Sequence, residues 1–208
     1  MARNVFISFR FSDGNQYKEE LVELFKKSDA VIDYSEDEDR SSMSEETIRK
    51  YLYRKLKSSS VTVILLTPNA IEHRRNWLGV IDDWMYDEIR YSLEDRENNR
   101  CNGLVAVYTK EAKDYLISSQ IHKCDKCKKE TTVKVLKDVN NLFSKNMCNV
   151  KPLYKKNECE GIYDSNLDSY CSLVSYEDFK ENFEYYIELA FNKREVAYKY
   201  DLKKKIIN

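Results

Sequence analysis

The hexapeptide Val61-Thr62-Val63-Ile64-Leu65-Leu66 constrains the fold more than any other segment of the chain. It is apolar at nearly every position, rich in β-branched residues, and stopped by Thr67-Pro68. A strand of that kind has no face to offer to water, so it belongs in the middle of a parallel sheet that carries helices on both sides. The segments around it fit. Asn4 to Phe9 is a second apolar run without helical period, and Asp13-Gly14-Asn15 after it carries turn chemistry. Tyr17, Leu21, Leu24 and Phe25 recur at helical spacing, and Ala30 to Tyr34 forms another short strand-like run. Ser35 to Ser44 reads as an acidic, serine-rich loop. Ser42 with Glu45 matches a capping box before an amphipathic helix bearing Ile48, Tyr51, Leu52, Lys55 and Leu56.

Beyond the central run, Met85, Ile89 and Leu93 stand at i, i+4 and i+8 and form a buried helical stripe, with Trp84 and Glu88 on the stripe beside it. Gly103 to Tyr108 is a fourth strand. Strands alternating with helices predict an α/β fold of the flavodoxin-like, doubly wound, mainly parallel type, and ligands on such sheets collect beyond the C-terminal strand ends. Residues 120 to 172 are lysine- and asparagine-rich and hold five of the six cysteines, which marks an elaboration on the sheet. Ser175 with Asp178 caps a final helix whose apolar face is Phe179, Phe183, Tyr186, Ile187 and Ala190, and the lysine-rich tail after it is expected to fray. The whole of 1–208 is expected to be one domain, with a core of about 1–118 plus helix 175–194 and an elaboration of about 119–174.

Composition removes several function classes. With glycine only at 14, 79, 103 and 161, neither a G-x-G-x-x-G turn nor a phosphate-binding P-loop can be written. Two histidines, His73 and His122, rule out three-histidine zinc sites and H-E-x-x-H helices. The net charge is −1 although 34% of residues are charged, so no nucleic-acid partner is expected. The longest apolar runs are far short of a membrane span, and the chain is expected to be cytoplasmic, without a membrane partner.

The order Val5-Phe6-Ile7-Ser8-Phe9, then Ser60 to Leu66, then Asn76-Trp77 and Trp84-Met85-Tyr86-Asp87-Glu88-Ile89 resembles the bacterial TIR-like domains, in particular the stand-alone TIR proteins of Thoeris anti-phage systems. Val174 to Phe179 with Tyr186, Ile187 and Ala190 is similar to the closing helix of that group. The resemblance covers the first 110 residues and about the last 35. It implies a TIR-like fold and cleavage of NAD+ between nicotinamide and ribose, with Glu88 as the catalytic residue. NAD+ is then a substrate, and no cofactor is required. The residues suit that chemistry. Nicotinamide leaves a cationic pyridinium as a neutral molecule, so no general acid is needed, and the costly species is an oxocarbenium-like ribose. One preorganised carboxylate can stabilise it.

The bland alternative for Glu88 is a solvated helix residue with Arg90 or Ser92 as neighbours. Phe9, Arg10 and Phe11 follow the first strand, where the resemblance puts a loop beside the adenine and ribose; core packing for the two phenylalanines and a surface Arg10 is the competing reading. Trp84 would wall the carboxylate, and Tyr91 would do so from the other side. Ser35, Asp37 and Asp39 match the family's loop flanking the pocket, or form a solvated turn. Cys124-Asp125-Lys126-Cys127 is a C-x-x-C knuckle, and a zinc site could use Cys124, Cys127, Cys148 and Cys159, with Cys171 as a further donor. Reduced, unliganded thiols are the default, and a Cys124–His122 nucleophile lacks an orienting third group.

The leading function is therefore a TIR-like NAD+ glycohydrolase or cyclase making an ADP-ribose-derived signal in anti-phage defence. The resemblance adds a phage-derived trigger and a separate effector that senses the product as partners. The alternative is a catalytically silent TIR-like interaction module. A receiver domain is disfavoured because Leu66-Thr67-Pro68 offers no phospho-accepting aspartate, and a deoxyribosyltransferase-like enzyme is a third use of the fold. Sixteen tyrosines could furnish homo-oligomer contacts or fill a core, which leaves the oligomeric state open.

Overall fold

A computed structural model describes residues 2–33, 45–70, 84–96, 99–137, 142–157, 159 and 162–206, without the side chains of Glu45, Ile48, Arg49 and Trp84. In chain order the elements are β1 (Arg3–Ser8), α1 (Phe11–Phe25), β2 (Val31–Asp33), α2 (Glu45–Ser58), β3 (Val61–Leu66), α3 (Trp84–Leu93), β4 (Gly103–Tyr108), α4 (Lys110–Leu116), β5 (Ile117–Lys123), β6 (Glu130–Leu136), β7 (Cys171–Ser175) and α5 (Tyr176–Glu195). The main sheet is parallel throughout, with strand order β2-β1-β3-β4-β7. Its middle strand is β3, buried at all six positions as its composition requires.

Period-two alternation divides the core. Val5, Ile7, Val61, Val63, Leu65, Val105 and Val107 face α1 and α5, meeting Leu21, Val22, Phe25, Phe179, Ile187 and Ala190. On the other face, Ile64, Leu66, Leu104 and Ala106 meet Met85, Ile89 and Leu93 of α3, while Phe6 packs on Leu52 and Leu56 of α2. The predicted stripe on α3 is buried as expected. Gly103 opens β4 under α5 because a Cβ there would stand 2.0 Å from the Ala190 carbonyl oxygen.

Four features differ from the sequence reading. Asp13-Gly14-Asn15 does not turn; it lies in the first turns of α1, where Gly14 donates to the Arg10 carbonyl at 2.7 Å. The missing side chain serves packing instead, since a Cβ at Gly14 would press on Phe9 at 3.3 Å. The sequence puts most of β7 in the elaboration, yet the strand pairs with β4 and completes the sheet, so the excursion returns to the fold at Cys171. Within the excursion, β5 and β6 form an antiparallel hairpin. As far as Ile206 the tail does not fray: Tyr200 is buried against Tyr170, Asp201 donates to the Asn149 carbonyl, and Ile206 donates to the Tyr86 hydroxyl at 3.3 Å. The Ser175 cap is as expected, its hydroxyl accepting from Asp178 N–H at 3.3 Å. The loop with Ser35, Asp37, Asp39 and Ser42, and the Asn76-Trp77 pair, lie outside the described residues. No helix among the described residues is long and apolar enough to cross a membrane.

Candidate active site

The site begins with the alternation of β1. Phe6 and Ser8 share the face towards α2 and α3, and Ser8, at the C-terminal end of the strand, brings a fully buried hydroxyl to it. A hydroxyl buried there needs a partner. Glu88, on the second turn of α3, supplies one: Ser8 Oγ donates to Glu88 Oε2 at 2.5 Å, within the range of hydrogen bonds to a carboxylate. Glu88 is only 9% exposed. In the order β2-β1-β3 the chain winds one way from β1 to β2 and the other way from β2 to β3, so β1 and β3 border the switch point of the sheet. The carboxylate therefore sits at the strand end where this class of sheet binds ligands.

A chain of buried polar groups fixes α3 against the sheet. Ser92, one turn beyond Glu88, donates to the Glu88 carbonyl at 2.7 Å and shares a 2.8 Å hydrogen bond with Thr62 of β3. Asn102 then donates to Thr62 Oγ1 and to Ser59 Oγ, each at 3.0 Å, and accepts from Arg96 Nη2 at 2.6 Å. These groups set the register of the helix, and with it the depth of the carboxylate. Arg90 pairs with Asp87 and Glu94. Neither neighbour weighed for Glu88 in the sequence has the part played by Ser8.

At this end of the sheet Phe9 packs on the α1 and α5 face of the core, as its competing reading has it, and touches Phe11, ring centroids 4.7 Å apart; Phe11 is 47% exposed. Arg10 between them is the N-cap residue of α1. Asp13 in the first turn of α1 ties down the loop after β3, accepting from Thr67 Oγ1 at 2.8 Å and from Asn69 N–H at 3.0 Å. At the end of β4, the Tyr108 hydroxyl accepts from Lys134 Nζ of the hairpin at 3.1 Å. Tyr17 donates to Glu111 at 2.7 Å, and that carboxylate pushes the phenol up to about 12. This end of the sheet thus carries an exposed aromatic, short polar side chains and one sunken carboxylate, a group that can stabilise a developing cation.

A family model described as the TIR-like domain of Thoeris protein ThsB matches residues 6–114. The chain belongs to that family. The match to the ThsB TIR-like domain runs from β1 through most of α4 and takes in Ser8, Phe9, Arg10, Phe11, Trp84 and Glu88. A solved structure, the TIR domains of the activated Roq1 resistosome directly recognizing the pathogen effector XopQ, is similar at 20% identity with a TM-score of 0.35. The likeness covers 52% of this chain and 58% of that one.

Of the residues singled out from the ThsB-like sequence, Glu88 and the Phe9–Phe11 segment come to the same strand end. Trp84 opens α3, its side chain outside the described residues, as is Ser35. Ser8 was missed as a site residue; its one signal is a polar residue closing an apolar strand. Among the cysteines, Cys124, Cys127 and Cys159 bring their sulfurs within 4.8 Å of one another. Cys148 is not with them: its N–H donates to Ser169 Oγ at 2.9 Å and its sulfur also meets that hydroxyl, so the expected quartet reduces to three. Cys171 is buried in β7 against the core. The Cys127 N–H, donating to the Cys124 sulfur, brings that thiol down to about 7.

Proposed function

We propose that this ThsB-type chain cleaves NAD+ at the bond between nicotinamide and ribose and releases an ADP-ribose-derived product that serves as a signal in anti-phage defence. The observation that carries the reading is the Glu88 carboxylate, sunk at the switch point and held by Ser8. In this reading the C1′–N bond breaks with its electron pair going to the pyridinium nitrogen, and nicotinamide departs neutral. Glu88 stabilises the ribosyl cation that remains and accepts a hydrogen bond from a ribose hydroxyl. Phe11 offers a face for stacking on a base. Water adding to C1′ and giving up a proton yields linear ADP-ribose; a nucleophile from within the same molecule yields a cyclic one.

The test is nicotinamide release by the purified chain, alone and with extract of phage-infected cells as trigger. Glu88→Gln keeps the hydrogen bond from Ser8 and removes the charge, so the rate should fall on the order of 10²-fold or more with thermal stability little changed. Unchanged turnover in Glu88→Gln overturns the assignment. No turnover in any condition, with the defence phenotype intact in Glu88→Gln cells, identifies an interaction module.

A further inference from the structure

The hairpin of β5 and β6 has a problem that its own residues do not solve. Ile117 to Lys123 is nowhere buried, and β6 sinks only Val133 and Leu136, so the end of the ribbon beyond Val133 has little covered surface to hold it, and a two-stranded ribbon is marginal in water without such cover. At its tip the chain makes a tight knuckle. Cys124 N–H donates to the Lys129 carbonyl at 2.9 Å, Lys128 N–H returns to the Cys124 carbonyl at 2.8 Å, and Cys127 N–H points at the Cys124 sulfur at 3.5 Å. Lys128, directly after the second cysteine, has φ of +60°, a left-handed conformation that a lysine adopts only when its surroundings impose it. Such a turn closes the C-x-x-C into a claw and aims backbone N–H groups at sulfur, the outer contacts that stabilise a metal-bound thiolate.

The third thiol comes from elsewhere in the chain. Cys159 is set by its own N–H to Asn157 Oδ1 at 3.0 Å, and its carbonyl accepts from Ile162 N–H at 3.1 Å and Lys155 Nζ at 2.9 Å. All three sulfurs lie within 4.8 Å of one another, and all are free thiols. A tetrahedral zinc with Zn–S bonds of about 2.3 Å holds its sulfurs about 3.8 Å apart, so modest contraction suffices. A disulfide would use two of the three and strand the third. We propose that Cys124, Cys127 and Cys159 bind a structural zinc ion that clamps the hairpin tip to the chain at Cys159. Three ligand atoms converge among the described residues, and a water completes the tetrahedron. Zinc with three thiolates has one net negative charge, and Lys126, Lys128 and Lys129 flank the claw in sequence, so the lysines around the motif offset the charge of the centre.

The test needs no NAD+ and is independent of the catalytic reading. The full chain, purified with reductant and reconstituted with Zn2+, should hold about one zinc per chain by elemental mass spectrometry. Cys148→Ser should keep it, whereas Cys124→Ser and Cys159→Ser should lose most of it. If those variants fail to fold, the wild-type chain still decides: Co2+ in place of zinc should give a thiolate-to-metal charge-transfer band and a tetrahedral ligand-field spectrum. Chelation should then speed hydrogen exchange at the amides of β5 and β6. Zinc below about 0.1 per chain after reconstitution, or loss as complete in Cys148→Ser as in Cys159→Ser, overturns the site.

Discussion

Ser8 and Lys193 show what a single buried polar residue does in this core. Ser8→Ala removes the hydrogen bond to Glu88 and leaves the strand intact, so nicotinamide release should fall about tenfold, the equivalent of roughly 1.4 kcal/mol. A rate equal to wild type in that variant would show that the hydroxyl does not position the carboxylate. Lys193 is 3% exposed on α5, bonded to Ser172 Oγ at 2.8 Å, and desolvation brings its amine down to about 8. The folded chain therefore favours the neutral amine: the penalty is complete below about pH 8 and is relieved as pH rises from there towards the ordinary lysine value of about 10.5. Lys193→Met should raise unfolding free energy at pH 7 by about 1–3 kcal/mol and flatten the rise in stability across that window, read by urea titration at several pH values. Neither residue is legible in the sequence. A serine that ends a strand and a lysine three positions after Ala190 look like surface residues, because their partners come from other elements: Glu88 is 80 positions from Ser8. Glu88 itself becomes legible only when the order of aromatics around it is compared with a family.

The elements were readable in proportion to how strongly burial shaped them. β3 shows in the sequence because both of its faces are covered, and the stripe of α3 because three large apolar side chains repeat at helical spacing. β7 does not: two of its five residues are serines, and its neighbours have no period. Gly14 misled for a reason of packing, its lost side chain making room for Phe9 rather than for a bend. At Gly103 the approach of α5 to β4 is closer still, and Gly103→Ala must push Ala190 and its helix outward. We expect a loss of about 3 kcal/mol, visible as a lower urea midpoint with the slope unchanged; a stability within 0.5 kcal/mol of wild type would contradict the packing.

At the scale of the molecule, the last residues bind the excursion to the sheet. Tyr200 closes over Tyr170 and donates to the Leu167 carbonyl at 2.9 Å, Lys203 N–H donates to Asn146 Oδ1, and Ile206 reaches Tyr86 on the helix that carries Glu88. The sequence suggested a frayed tail because lysines dominate it, but the apolar side chains between them, Leu202 and Ile206, pack on the core. Tyr200→Ala should cost about 3 kcal/mol and expose the 142–170 segment to limited proteolysis, while unchanged cleavage would show that the tail is ornamental. The segment from α4 to Tyr170 leaves the sheet after β4 and re-enters at β7, and those two strands are neighbours. Its length and content can therefore change over generations without reordering a single strand. Since Lys134 stands on Tyr108 at the end of β4, each such change would also redraw the ground beside the strand ends, so that this fold could acquire new selectivity by exchanging an appendix while its carboxylate stayed where it is.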